Sequence, residues 1–208
     1  MNAWTIRFAA WLLAVAVSVA AAVAGAGTWN AVDDAATRSA VDAATRSVGD
    51  AGTLGFVATQ AGQPFEGRFK RFQTNIAFDP DDLAASRADV TIDMASAVTG
   101  DPQKDAALPL PEWFDVKTHP HAHFIVRSFR HVGGDRFEAA ADLTIRNVTR
   151  EVVLPFEFTA DGDGARVTGD LDIDRSDFGV GQGPWTSDQW IGHRVTVTIS
   201  LRAVPALR

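Results

Sequence analysis

The sequence of 208 residues contains no cysteine, and this absence excludes disulfide bonds, thiolate catalysis and zinc sites built on sulfur. No serine lies in a G-x-S-x-G elbow, and no glycine loop followed by a basic residue is present to cradle a phosphate. Basic residues are in the minority, since the formal net charge is −7. Nucleic acid is therefore a poor partner, and no motif identifies a catalytic residue or a cofactor site.

The first residues predict a secretory signal peptide. Arg7 gives a weakly basic start, residues 8–23 are apolar, and small residues follow in the pattern that a signal peptidase recognises. We expect residues 1–26 to be removed, with cleavage after Ala24 or Ala26. An uncleaved membrane anchor is the alternative, although the apolar run is slightly short for a membrane-spanning helix.

The chain after the signal peptide divides into a short extension and one domain. Residues 27–52 contain a local duplication, AVDDAATRS followed by AVDAATRS. Two copies are too few for a solenoid, so we expect a mobile or helical extension. No domain boundary is visible in residues 53–208, which are expected to form a single domain.

The segment 139–158 predicts a β-hairpin. Apolar and polar residues alternate along 141–145 and again along 152–158, and a polar connection at 146–150 separates the two runs. Pro155 cannot donate to a sheet ladder, so the second strand should lie at an edge or be bulged there. A hairpin alone cannot shelter its apolar face, which requires further strands.

Similar strand patterns recur before and after this hairpin. Further strands are expected over residues 53–59, 75–78, 89–94, 124–129, 167–173 and 195–201. Residues 101–111 break the pattern and predict a crossing loop with a short helix. About eight or nine strands would expose many edges unless the sheet closed into an antiparallel barrel. A barrel of about eight strands is wide enough to fill with side chains or to hold one slender ligand.

Three histidines, His119, His121 and His123, occupy alternate positions and would share one face of an extended chain. Imidazole is a common ligand of zinc and copper. Pro120 interrupts the entry to this segment, however, and the spacing implies no carboxylate that would orient the rings. We interpret the segment as the join between a loop and a strand, with a metal site as the alternative.

The chain is rich in phenylalanine and tryptophan, with 13 and 6 residues, but has no tyrosine. Most of these side chains would fill the interior of a barrel. A wide apolar interior either packs solid or binds something apolar, and sequence periodicity does not distinguish the two.

Five short motifs carry a resemblance to a known family. They are GRFKRF at 67–72, IDMAS at 92–96, WFDV at 113–116 followed by His119, Pro120 and Phe124, DLTI at 142–145 with Val148 and Thr149, and IDRSDFG at 173–179. Their order and spacing, held over about residues 53–203, resemble the YceI-like (polyisoprenoid-binding) proteins of the bacterial envelope. Asn147 departs from the glycine usual in that turn, but asparagine tolerates a left-handed backbone.

The resemblance implies an all-β fold, an extended antiparallel eight-stranded lipocalin-like barrel with a short helix in the crossing loop. It also implies a periplasmic lipid-binding protein, not an enzyme, whose tunnel holds an isoprenoid-type or other long-chain amphiphile. From the resemblance and the strand patterns together, the residues expected to line the tunnel are Phe56, Phe69, Val90, Ile92, Phe114, Phe124, Val126, Leu143, Phe156 and Leu171.

Two alternatives stay open. One is an enzyme or redox accessory that acts on a quinone through the histidines at 119–123. The other is a docking module with a solid barrel, because residues 181–190 resemble the subgroup encoded near or fused to b-type cytochromes. Transient contact with such a cytochrome and a homodimer are the corresponding partner hypotheses.

Overall fold

The structure, a computed structural model, describes residues 29–31, 47–48, 52–161 and 164–205. The predicted signal peptide and most of the duplicated extension lie outside these residues. Within them the chain is all-β, with one short α-helix, and its strands form one antiparallel sheet. No helix in this part of the chain has the length and apolar character needed to cross a membrane.

Ten strands lie between residues 52 and 205, and two short ones precede them. In chain order the strands are β1 (Trp29–Ala31), β2 (Ser47–Val48), β3 (Gly52–Gln60), β4 (Gln63–Phe69), β5 (Phe72–Ala77), β6 (Arg87–Asp93), β7 (Ala97–Val98), β8 (His121–Gly133), β9 (Arg136–Ile145), β10 (Val148–Asp161), β11 (Gly164–Asp174) and β12 (Arg194–Pro205). The helix α1 spans Pro102–Ala107, and short 3₁₀ helices span Met94–Ser96, Arg175–Phe178 and Gly183–Trp185.

The sheet has the strand order β2-β5-β6-β8-β9-β10-β11-β12-β3-β4-β7, with β1 paired to β12. It curls into a half-barrel, which confirms the expected lipocalin-like fold. The number of strands differs from the eight expected, because a tight turn at Ala61 and Gly62 adds β4 to β3, and the two-residue β7 extends the sheet beyond β4. Both turn residues have positive φ angles, of 49° and 77°.

The predicted hairpin is confirmed as β9 and β10. Its connection is shorter than expected, since Ile145 and Val148 already pair and only Arg146 and Asn147 form the turn. Their φ angles of 50° and 59° are those of a type I′ turn, whose twist matches the twist of the flanking strands. Asn147 therefore adopts the left-handed backbone that the sequence requires of it.

Pro155 lies in a strand that pairs with β9 over residues 148–157 and with β11 over residues 156–161. It faces Glu138 of β9, but the pairing of β10 with β11 begins only at Phe156, opposite Gly169. At Pro155 itself β10 therefore has one partner strand, so the missing N–H leaves no ladder bond unmade on the β11 side. The expectation of a local edge is confirmed.

The crossing loop contains the predicted helix. Asp101 caps α1 by accepting hydrogen bonds from the backbone N–H groups of Gln103 and Lys104, and Pro102 occupies the first helical turn. Residues 108–120 then cross to the start of β8. The side chain of Arg146, at the β9–β10 turn, holds this crossing by donating to the carbonyl oxygens of Pro111 and Trp113.

Candidate ligand-binding cavity

The curled sheet curves around a cavity of about 220 Å³. A single water molecule needs only about 10–15 Å³ of such space, so this is a large void for a protein interior. Its wall is made of aliphatic and aromatic side chains contributed by most strands and by the crossing loop. The domain is therefore hollow, and the alternative of a solid barrel is not what the structure shows.

The strand register explains why the wall is apolar. Val90 on β6 lies opposite Phe124 on β8, which in turn lies opposite Leu143 on β9. All three line the cavity, because residues that face each other across a ladder project to the same side of the sheet. The neighbouring row, with Asp89 opposite Ile125, projects outward by the same rule.

All ten residues expected to line the tunnel are placed at the cavity wall. They are Phe56, Phe69, Val90, Ile92, Phe114, Phe124, Val126, Leu143, Phe156 and Leu171. Nine of them belong to strands, and Phe114 is carried by the crossing loop. Their role in holding a ligand stays a prediction.

A bulge in β8 brings in a wall residue that the sequence pattern did not indicate. Val126 pairs with Ala141 while Ser128 pairs with Ala140, so Arg127 is the extra residue. The shift turns Phe129 toward the cavity, where simple alternation from Val126 would have turned Ser128 inward. This register shift is visible only in the pairing of β8 with β9, and no local signal in the sequence predicts it.

Phe78 organises an aromatic cluster in this part of the interior. Its ring centroid lies 5.1 Å from that of Phe129, 5.3 Å from Phe137, 5.5 Å from Phe156 and 5.0 Å from Phe158. Edge-to-face arrangements of this kind stabilise a core beyond the area that they bury. Phe78, Phe156 and Phe158 are themselves buried, so this region of the wall is densely packed.

Arg175 is a buried cation that the sequence analysis placed in a motif without a role. Only 3% of its surface is exposed, and it lines the cavity. Its guanidinium donates to six backbone carbonyl oxygens, those of Val180, Gly181, Trp185, Ser187, Ile191 and Gly192. Burial lowers the pKa of the guanidinium, and the negative charges of Asp174 and Asp188 oppose this effect.

These bonds use all the donors of the arginine, so the side chain binds protein and has none left for a ligand. They hold the irregular segment 180–192 in place. An additional contact places the guanidinium carbon 5.6 Å from the ring centroid of Trp113.

The crossing loop and this irregular segment form a joint cover over the cavity, which we define as residues 108–118 and 175–192. The carbonyl oxygen of Glu112 accepts from the N–H groups of Gly181 and Gln182, and the rings of Trp113 and Trp185 lie 5.6 Å apart. Leu108, Trp113, Phe114, Phe178, Val180 and Ile191 of the cover line the cavity. The cover therefore completes the wall where the strands do not.

The histidines at 119–123 do not face the cavity. His121 and His123 flank Ala122, which lines the cavity, so their rings project from the opposite face of β8, 6.4 Å apart. His119 lies before the strand, with its Nε2 3.8 Å from a carboxylate oxygen of Asp115. The interpretation as a loop-to-strand join is confirmed, and in the described residues no group of three or more potential ligands could hold a metal ion.

Comparison with known proteins gives a consistent picture. The family model described as the YceI-like domain matches residues 18–203. A UPF0312 protein of Pseudomonas syringae pv. tomato is 26% identical over 148 residues, which cover 68% of this chain and 77% of that protein. The crystal structure of Burkholderia cenocepacia BcnA superposes with a TM-score of 0.71 at 32% identity and covers 74% of this chain and 96% of that chain.

The likeness extends to a more distant structure. A polyisoprenoid binding domain from Saccharophagus degradans superposes with a TM-score of 0.58, covering 75% of this chain and 95% of that chain. Its sequence is 19% identical, so the similarity is one of fold.

Proposed function

The chain belongs to the YceI-like family, and on this basis we propose that it is a lipid carrier that holds a long-chain amphiphile of the isoprenoid type in its internal cavity. The observation that supports this proposal is the internal cavity, whose wall consists of aliphatic and aromatic side chains. In this proposal the protein acts by binding its ligand and performs no catalysis.

The energetics favour a ligand with a long hydrocarbon chain. Each CH₂ group removed from water contributes about 0.8 kcal/mol to the free energy of binding, so a five-carbon isoprene unit contributes up to about 4 kcal/mol. Ordering a flexible chain and losing its rigid-body freedom offset much of this gain. A chain of several units still binds, with little help from hydrogen bonds.

The wall offers little that would recognise a charged head group. Arg175 is the one ionisable side chain among the lining residues, and its donors are bound to backbone carbonyls. Recognition therefore rests on shape and apolar area, which suits a class of long-chain molecules. The domain of Saccharophagus degradans is named for binding polyisoprenoids, and this makes that class the first to test.

Mass spectrometry tests the proposal directly. The natively purified protein is extracted with organic solvent, and we expect an isoprenoid or comparable long-chain lipid in a stoichiometric amount. An extract without any such molecule, together with no uptake of added prenyl alcohols by the purified protein, would contradict the carrier function.

We also propose a periplasmic location, supported by the signal peptide expected at residues 1–26. The full chain is expressed in a Gram-negative host, the periplasmic fraction is isolated, and the intact mass of the protein is measured. We expect a chain that begins after Ala24 or Ala26. Full-length protein in the membrane fraction would instead indicate an anchor. Contact with a b-type cytochrome and a homodimer stay hypotheses from the sequence.

A further inference from the structure

Thr74 is the one hydroxyl-bearing residue among those that line the cavity. It lies on β5 opposite Val90, in the row that continues through Phe124 and Leu143. Along β5, Phe72 precedes Thr74 on the same face of the strand. Phe72 belongs to one cluster of buried apolar side chains, and Phe78, just after the strand, belongs to another. A single polar group thus lies part-way along an otherwise apolar strand face.

The hydroxyl of Thr74 has no hydrogen-bond partner. Its Oγ1 atom is buried, and it is one of two buried side-chain polar atoms left unpaired in the described residues. A buried hydroxyl without a partner destabilises a protein, and a valine of the same shape would avoid this cost. Such a group in a native wall calls for an explanation.

A change of the χ1 rotamer would turn this hydroxyl toward the cavity. The Oγ1 atom is buried, but the residue as a whole is only half-buried and contributes to the wall. Rotation of χ1 by about 120°, between two staggered positions, moves the hydroxyl to the place of the methyl group and the methyl group to the place of the Cβ hydrogen.

We propose that Thr74 donates a hydrogen bond to an oxygen acceptor on the bound ligand, so that the cavity selects amphiphiles whose carbonyl, ether or hydroxyl oxygen lies inside it. This inference rests on the proposed carrier function and narrows it from hydrocarbon chains in general to chains with an internal oxygen. Arg175 does not compete for this role, because backbone carbonyls occupy its donors.

The test compares two probes of equal length, dihexyl ketone and tridecane, on delipidated protein. Each is incubated with the protein, unbound compound is removed by gel filtration, and the retained amount is measured by gas chromatography. In Thr74→Val we expect ketone affinity to fall about three- to tenfold, the effect of one hydrogen bond, with alkane affinity unchanged. Thr74→Ser keeps the hydroxyl and should retain the preference for the ketone.

The matched control is Thr144→Val, since Thr144 bonds to Thr149 through its hydroxyl on the exposed face of the sheet. It should retain both probes as the wild type does. Equal retention of the ketone by wild type and Thr74→Val would overturn the inference while leaving the carrier function intact. If the wild type retains neither the ketone nor the alkane, the carrier function itself is overturned.

Thermal unfolding of the ligand-free proteins gives a second, independent readout. Because Thr74→Val removes an unpaired hydroxyl, its Tm should equal or exceed that of the wild type. A clear fall in Tm would show that the hydroxyl already has a partner in the wall, and the inference would then be wrong.

Discussion

The ring of Phe56 occupies the space that a side chain at Gly67 would need. The two residues face each other across the β3–β4 ladder, and a Cβ atom built on Gly67 would lie 2.1 Å from the Cζ atom of Phe56. Phe56 also contacts Phe69, with ring centroids 5.6 Å apart, and both line the cavity. The glycine therefore sets the position of one aromatic residue of the wall.

Replacing this glycine should disturb the wall. We expect Gly67→Ala to lower the free energy of unfolding by about 1–3 kcal/mol, the usual cost of overpacking. Chemical denaturation measures the change. The double variant Gly67→Ala with Phe56→Leu should recover part of the loss, because the smaller side chain makes room for the methyl group. Strictly additive losses would show that the two residues are not coupled.

The two faces of β6 should respond differently to substitution. Ile92 is buried and lines the cavity, whereas Asp93 projects outward and pairs with Arg71 at 2.8 Å. We expect Ile92→Asp to reduce lipid retention strongly, because a carboxylate in an apolar wall must be desolvated. Retention is measured by mass spectrometry of extracts, normalised to folded protein by circular dichroism.

Asp93→Ala is the partner experiment on the outer face. It removes a cap of the Met94–Ser96 turn and should lower stability by about 1 kcal/mol, with retention unchanged. Equal losses of retention in both variants would contradict the assignment of the faces.

The cover should loosen when its central cation is replaced. Arg175→Lys leaves several of the six carbonyl oxygens without a donor, since an ammonium has three N–H groups and no fork geometry. We expect a loss of about 3 kcal/mol or more. Hydrogen exchange should accelerate in residues 180–192, while the amides of β9 and β10 stay protected. Arg194→Lys serves as the control, because the Arg194 side chain is 81% exposed. If both variants behave alike, Arg175 does not hold the cover.

Acid should destabilise the crossing region. The N–H and hydroxyl of Thr99 donate to Asp105 at 2.6 and 2.7 Å and lower the pKa of its carboxyl below the ordinary value of 3.8. A carboxyl with a lowered folded-state pKa stabilises the fold above its unfolded pKa, and this contribution is lost as the pH falls through the folded pKa.

The Tm should therefore decrease from about pH 4 downward. In Asp105→Asn, which cannot take up this proton, the decrease should be smaller. We would measure Tm between neutral pH and strong acid for both proteins. Parallel curves would show that Asp105 does not contribute to the acid sensitivity.

Much of the fold follows from local patterns. The period-two alternation in residues 89–94 and 141–145 assigns Val90 and Ile92 to one face of their strand, and Leu143 to the apolar face of its own, whatever the rest of the chain does, because successive side chains on a strand point to opposite sides. The β9–β10 hairpin was likewise predicted from its own residues, and Asn147 in its turn from the tolerance of asparagine for a left-handed backbone.

Other features depend on partners distant in the chain. The inward position of Phe129 results from a bulge that exists only in the pairing of β8 with β9. Arg175 meets six carbonyl oxygens only because residues 180–192 fold back over it. The alternation of apolar and polar residues in the sequence predicts neither the bulge nor the fold of residues 180–192 over Arg175.

The sequence by itself determined which side chains are apolar, how they alternate and therefore which could share a wall. Whether the wall encloses a filled core or an open cavity was decided by tertiary structure, because it depends on how far the curled sheet and its cover hold opposite side chains apart. How side chains pack across the interior depends on the folded chain as a whole, and the pattern of a single strand contains no information about it.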